Sequence, residues 1–138
     1  KIWGLSFPIK PPALDTADER SAINQPMYRD VDKILLPAHE SLETTIERVV
    51  PYFNKVIKPD VLSGKRVIIA AHGNSLRALV KYFDNISNED IIAVNIPTGT
   101  PLVYEFDDDF SVVRSYYLGD PEALKAKMDA VANQGKKR

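Results

Sequence analysis

Apolar positions recur at three- and four-residue spacing through Leu42, Thr45, Ile46, Val49, Val50, Phe53 and Ile57, the signature of a helix with one buried stripe. The helix expected here covers residues 41–57. Ser41 is a good N-cap, Glu43 and Glu47 suit the positive end of the helix dipole, and Pro51 should bend the helix by removing one backbone donor. After the turn signal Ser63-Gly64 and the basic pair Lys65-Arg66 comes Val67-Ile68-Ile69-Ala70-Ala71, a short apolar run without alternation. Such a run is expected of a central strand buried on both faces. His72-Gly73-Asn74-Ser75 ends it, and Leu76, Leu79, Val80 and Phe83 mark an amphipathic helix that follows at once. Strand, tight turn and helix make the βα unit of an open α/β sheet.

Further along, Ser87-Asn88-Glu89-Asp90 has the spacing of a capping signal and predicts a short helix before the loop Asn95-Ile96-Pro97-Thr98-Gly99. Residues 102–106 and 111–118 are strand-like and joined across Asp107-Asp108-Asp109, which predicts a hairpin at the sheet edge. From Pro121 onward Leu124, Met128 and Val131 form one weak helical stripe ahead of a basic, mobile tail. Residues 8–40 are rich in Pro and Asp with little periodicity, as in a long surface loop. Loops of that length are often functional. The organisation expected is one domain: a loop region over residues 1–40, an α/β core over 41–120, and a C-terminal helix with its tail over 121–138.

Composition narrows the field. With 138 residues, 44% apolar and 27% charged, the chain suits a single folded domain rather than a disordered or fibrous one. A formal net charge of −1 offers no global field for nucleic acid or an anionic membrane, so any anion must be held by local groups. There is no cysteine, which excludes disulfides and thiolate metal sites and is compatible with a reducing cytoplasm. No apolar run approaches the roughly 20 residues that cross a bilayer, and no leader precedes the first element, so no membrane role is expected. The opening KIWGLSFPIKPP begins without Met, as in a processed chain or at an arbitrary boundary.

In open α/β sheets ligands sit beyond the carboxyl ends of the strands, where helix N-termini and backbone donors face them. His72 falls there by sequence alone. An imidazole at that point can bind phosphate, move a proton or act as nucleophile. Gly73 lets the backbone approach a ligand closely, and Asn74 brings an amide donor and an acceptor. The other reading of the same residues is a turn whose His merely satisfies a helix start. His39, next to Glu40-Ser41, fits a capping or surface role better than a catalytic one. Asp107-Asp108-Asp109 lacks calcium-loop spacing and fits a solvated turn. No P-loop, GxGxxG, GxSxG or HExxH pattern occurs.

RVIIAAHGNSLRALVKYFDN, NIPTGTPLVYEF and the ending YYLGDPEALKAKMDAVANQGK resemble the 2,3-bisphosphoglycerate-dependent phosphoglycerate mutases of the histidine phosphatase superfamily, in their C-terminal portion. LETTIERVVPYFNKVI and the PP-x-L-x-x-x-DER element stand in family order, so the likeness covers nearly the whole chain. The resemblance implies a three-layer α/β fold, an open, mostly parallel sheet with helices on both faces, present here in part. It implies interconversion of 3-phosphoglycerate and 2-phosphoglycerate through a phosphohistidine primed by 2,3-bisphosphoglycerate, a glycolytic and gluconeogenic reaction in the cytoplasm that uses no metal. By that likeness His72 is the second active-site histidine, which stabilises the phosphoryl group in transit, and Gly73 and Asn74 contact substrate. Residues 131–136 are a candidate lid. The partners implied are the phosphoglycerate, and either further copies of the chain or the missing N-terminal half.

Two departures limit what carries over. The family's phosphorylated histidine lies in an Arg-His-Gly motif and its acid/base glutamate lies upstream, and this chain contains neither. Where the family has two arginines after the tryptophan matched by Trp3, Gly4 and Leu5 stand here. Each lost contact to a charged group is worth roughly 1.5–3 kcal/mol. The DER element also runs on into Ser21-Ala22-Ile23, where the family has an aromatic followed by Pro and Gly. The chain alone is expected to be inactive, half of a shared site. A non-catalytic interaction module and a broad-specificity phosphatase are the alternative expectations.

Overall fold

The computed structural model describes residues 7–133. Helix α1, Leu42–Tyr52, begins where Ser41 was expected to cap it. The partner at its third position is Thr44 rather than a glutamate: the Thr44 N–H donates to Ser41 Oγ at 3.2 Å, and the Ser41 N–H donates to Thr44 Oγ1 at 2.9 Å. Pro51 lies inside the helix without ending it. Just beyond, the ladder loosens into a π turn over Phe53–Ile57 and then resumes as the short helix α2, Lys58–Leu62. The helical run is therefore longer than the expected 41–57. A π turn lets the backbone absorb a missing donor without breaking, and Pro59 near the start of α2 occupies a position that tolerates it. Gly64, at φ 84°, closes the run in a conformation that suits glycine.

Helix α3, Gly73–Asp84, is amphipathic as expected and buries Ala78, Leu79 and Val80. Asn85 ends it in the left-handed region at φ 50°, its N–H donating to the Lys81 carbonyl. α1 packs on α3. Their shared core is Leu42, Ala78 and Ile91, with Phe7, Ile46, Val49, Ile86 and Val94 against it. Ile91 comes from a 3-10 turn at Asp90–Ala93, the short helix anticipated after Ser87, whose Oγ accepts the Asp90 N–H at 3.0 Å.

Strands β1, Leu102–Phe106, and β2, Val112–Tyr117, form the expected antiparallel hairpin, with a register shift between Glu105 and Phe106. The Asp107 carboxylate accepts the N–H groups of Asp109 at 3.0 Å and Ser111 at 2.7 Å, so the acidic run is a turn. Phe110 takes φ 64° to complete that turn and stacks on Phe106 at 4.2 Å. It joins an aromatic cluster with Phe53 and Phe83 that seats the hairpin on the helices. Helix α4, Pro121–Asn133, starts at Asp120, whose carboxylate accepts the Ala123 N–H at 2.8 Å.

Residues 67–71 correct one expectation. They are not in a strand: residues 65–72 carry no ladder, and Ile68 is 94% and Val67 40% exposed. An apolar run of this kind is a buried strand only when neighbours pair with both of its edges, and among the described residues the one sheet is the two-stranded hairpin. Among the described residues the hairpin is accordingly its own sheet rather than the edge of a larger one. The α/β architecture is present in part, as helices α1 and α3 with the hairpin.

Residues 8–40 hold three 3-10 turns, Ala22–Asn24, Pro26–Tyr28 and Lys33–Leu35, in otherwise irregular backbone. Within the DER element Arg20 grips Asp18 with two hydrogen bonds of 3.0 and 2.7 Å, and this holds the Asp18 carboxyl down to about 2. The proposed lid at residues 131–136 and the Gly4-Leu5 departure fall at or beyond the limits of the described side chains.

Candidate functional site

His72 is the N-cap of α3, at φ −61° and ψ 146°. Its Nδ1 accepts the Asn74 N–H at 3.2 Å, and its carbonyl accepts the Leu76 N–H at 3.1 Å. The cap satisfies one of the donors that every helix start leaves over. It also decides the tautomer: an accepting Nδ1 places the ring hydrogen of neutral imidazole on Nε2. His72 is exposed, so a fixed Nε2–H donor stands at the positive end of a twelve-residue helix. The turn reading and the ligand reading are therefore compatible, because the bond that caps the helix is the bond that aims the ring.

Gly73 has ordinary negative φ, and a Cβ built on it meets nothing within 4 Å. Neither the backbone nor packing among the described residues requires glycine there. Its N–H has no acceptor within the helix, and the open space leaves it approachable by a ligand oxygen. Gly73→Ala should therefore raise the stability of the free chain, by about 0.4–1 kcal/mol through the unfolded state, while weakening binding of a phosphorylated ligand. Urea unfolding and ligand titration of the same variant check the two signs. A stability gain with undiminished binding would remove Gly73 from the site.

Asn74 is half-buried, and its Oδ1 accepts from Arg77 Nη1 at 3.3 Å. Arg77 is only 5% exposed, and its Nη2 donates to the Ile91 carbonyl at 2.7 Å. Burial pulls the Arg77 pKa down from its ordinary value, yet a guanidinium stays protonated at physiological pH. A cation thus lies beneath the first turn of α3. The sequence signal for Arg77 is its place three residues after Asn74, where it interrupts the apolar stripe of Leu76, Leu79 and Val80. Together the imidazole Nε2–H and the helix end favour an anion with several acceptor oxygens, and the buried guanidinium reaches that end through the Asn74 carboxamide.

His72, Gly73 and Asn74 are consecutive at the start of α3, whereas His39 lies in half-buried coil ahead of α1, beside Glu40, which is bound by Arg48 at 2.5 and 2.9 Å. Two surface cavities lie elsewhere. One of about 370 Å³ is lined by Tyr82, Phe83, Phe106 and Phe110, and one of about 150 Å³ by Thr100, Asp120 and Lys127 among others. The site at His72 is an open helix end. Among the described residues no group of three or more His, Asp or Glu side chains is placed to hold a metal ion, and no helix is long and apolar enough to cross a membrane.

Over all 138 residues the chain is 60% identical to the 2,3-bisphosphoglycerate-dependent phosphoglycerate mutase of Treponema denticola. It spans 56% of that relative's length. Residues 14–118, which include α1, the His72 turn, α3 and the hairpin, match the family described as the histidine phosphatase superfamily (branch 1). The chain belongs to the histidine phosphatase superfamily.

Proposed function

We propose that this chain contributes the His72 half of a phosphoglycerate mutase site, in a protein that interconverts 3-phosphoglycerate and 2-phosphoglycerate with 2,3-bisphosphoglycerate as primer. The observation that carries the reading is the cap at α3, where the Nδ1 bond to the Asn74 N–H leaves Nε2–H as an outward donor on a positive helix end. The identity to a relative of that name supports the substrate class. In this role His72 donates to a phosphoryl oxygen and offsets the negative charge that spreads over the group as it passes between acceptors. The Gly73 N–H and the Asn74 carboxamide bind and orient the phosphoglycerate, and no metal is needed. The reaction is glycolytic and gluconeogenic, which puts the protein in the cytoplasm.

The acceptor histidine and the acid/base glutamate are not in this chain and come from a second segment carrying Arg-His-Gly. We read that segment, rather than a further copy of this chain, as the partner, because residues 65–72 are apolar in their middle, largely exposed and without a ladder. The test is turnover followed by phosphorus NMR. The 138-residue chain with 3-phosphoglycerate and bisphosphoglycerate should be inert, and turnover should appear when the Arg-His-Gly segment is joined to it or added in trans. Activity of the chain by itself, or inactivity of the joined protein, would sink the half-site reading. The second of those results would leave a non-catalytic interaction module.

A further inference from the structure

We propose that Arg77 is a positioning residue that sets which end of the Asn74 carboxamide faces the ligand. A guanidinium has donors and no acceptor, so the Asn74 atom turned toward Arg77 Nη1 is the carbonyl oxygen, and the NH₂ end is turned away. A carboxamide free to rotate would present a donor or an acceptor; this one presents donors. The guanidinium is itself immobilised, because its Nη2 is bound to the carbonyl of Ile91, a fully buried member of the core with Leu42 and Ala78. Orientation thus runs from the core through the Ile91 carbonyl and the Arg77 fork to the Asn74 amide. The planar fork can hold two acceptors at a fixed angle, which a lysine ammonium does only loosely. A charged side chain on the buried stripe of α3 costs desolvation that an apolar residue would avoid, so packing alone does not account for it. The identity of the ligand rests on the proposed function; the orientation of Asn74 does not.

The experiment uses the ¹⁵N-labelled 138-residue chain. Side-chain relaxation should show the Asn74 amide nearly as ordered as the backbone, with an order parameter near 0.8 in the wild type and below about 0.6 in Arg77→Met, which keeps bulk but removes the donors. Arg77→Lys should restore part of the order. A wild-type Asn74 amide that is already mobile overturns the proposal without recourse to any variant. Titration of the protein joined to its Arg-His-Gly segment with 3-phosphoglycerate then reads coupling. Asn74→Ala and Arg77→Met should each weaken binding severalfold, and the double variant should be no weaker than either alone. Additive losses would mean that Arg77 does not act through Asn74, and would overturn the proposal with the proposed function intact. Absence of any shift at His72, Gly73 and Asn74 in the wild type would instead overturn the phosphoglycerate reading, and the relaxation result would still decide Arg77.

Discussion

His72→Asn in the full-length protein should lower kcat by about 10²–10³-fold, the usual effect of removing one donor aimed at developing charge, with little change in the unfolding midpoint. Asparagine is chosen because it is among the best N-cap residues, and so it can take over the bond that His72 Nδ1 makes to the Asn74 N–H. The substitution separates two roles that share one ring. His72→Ala would remove both and add a stability loss of about 1 kcal/mol from the lost cap, which makes it the poorer probe. Single-turnover kinetics with urea unfolding on both variants decides the matter. If His72→Asn turns over at the wild-type rate, the histidine is a helix cap and no more.

The second large effect concerns residues 65–72. In the chain alone their amides lack ladder partners, and those of the exposed Val67 and Ile68 should exchange with solvent almost as fast as in an unstructured peptide. Once the Arg-His-Gly segment is present, the amides of residues 67–71 should slow by a factor of at least about 10³, because central strands exchange only through large-scale opening. Hydrogen exchange read by mass spectrometry on the peptide covering residues 65–72 provides the comparison. Equal rates with and without the segment would mean that this stretch is a loop in the assembled protein as well.

These two experiments fall on either side of what the sequence made legible. Where structure depends on neighbours within a few turns, the pattern sufficed. Ser41 capped α1, the spacing of Leu76, Leu79 and Val80 marked α3, and Asp107-Asp108-Asp109 proved to be a turn between two strands. The apolar run at residues 67–71 was legible as strand chemistry but not as a strand, since pairing needs edges that no local pattern supplies. Pro51 signalled a disturbance, but the shift of the ladder to a π turn over Phe53–Ile57 depends on tertiary seating, which leaves Phe53 2% exposed among the aromatic rings. His72, Gly73 and Asn74 stand out as candidates because they end an apolar run. Arg77 was obscured because a charge at a helix position reads as solvent-facing until its burial is seen.

Phe110 leaves one more consequence. Its φ of 64° is a conformation that favours glycine, and a side chain there costs roughly 1–2 kcal/mol. Its ring meets those of Phe53, Phe83 and Phe106, and each aromatic pair contributes about 0.5–1.5 kcal/mol beyond the area it buries. The ring therefore outweighs the backbone. The position is caught between two demands that no neighbouring residue type meets: glycine satisfies the turn and empties the cluster, while a β-branched side chain fails both. Substitutions there meet a barrier on every side, and the hairpin tip should tolerate less sequence drift than its exposed, acidic surroundings suggest.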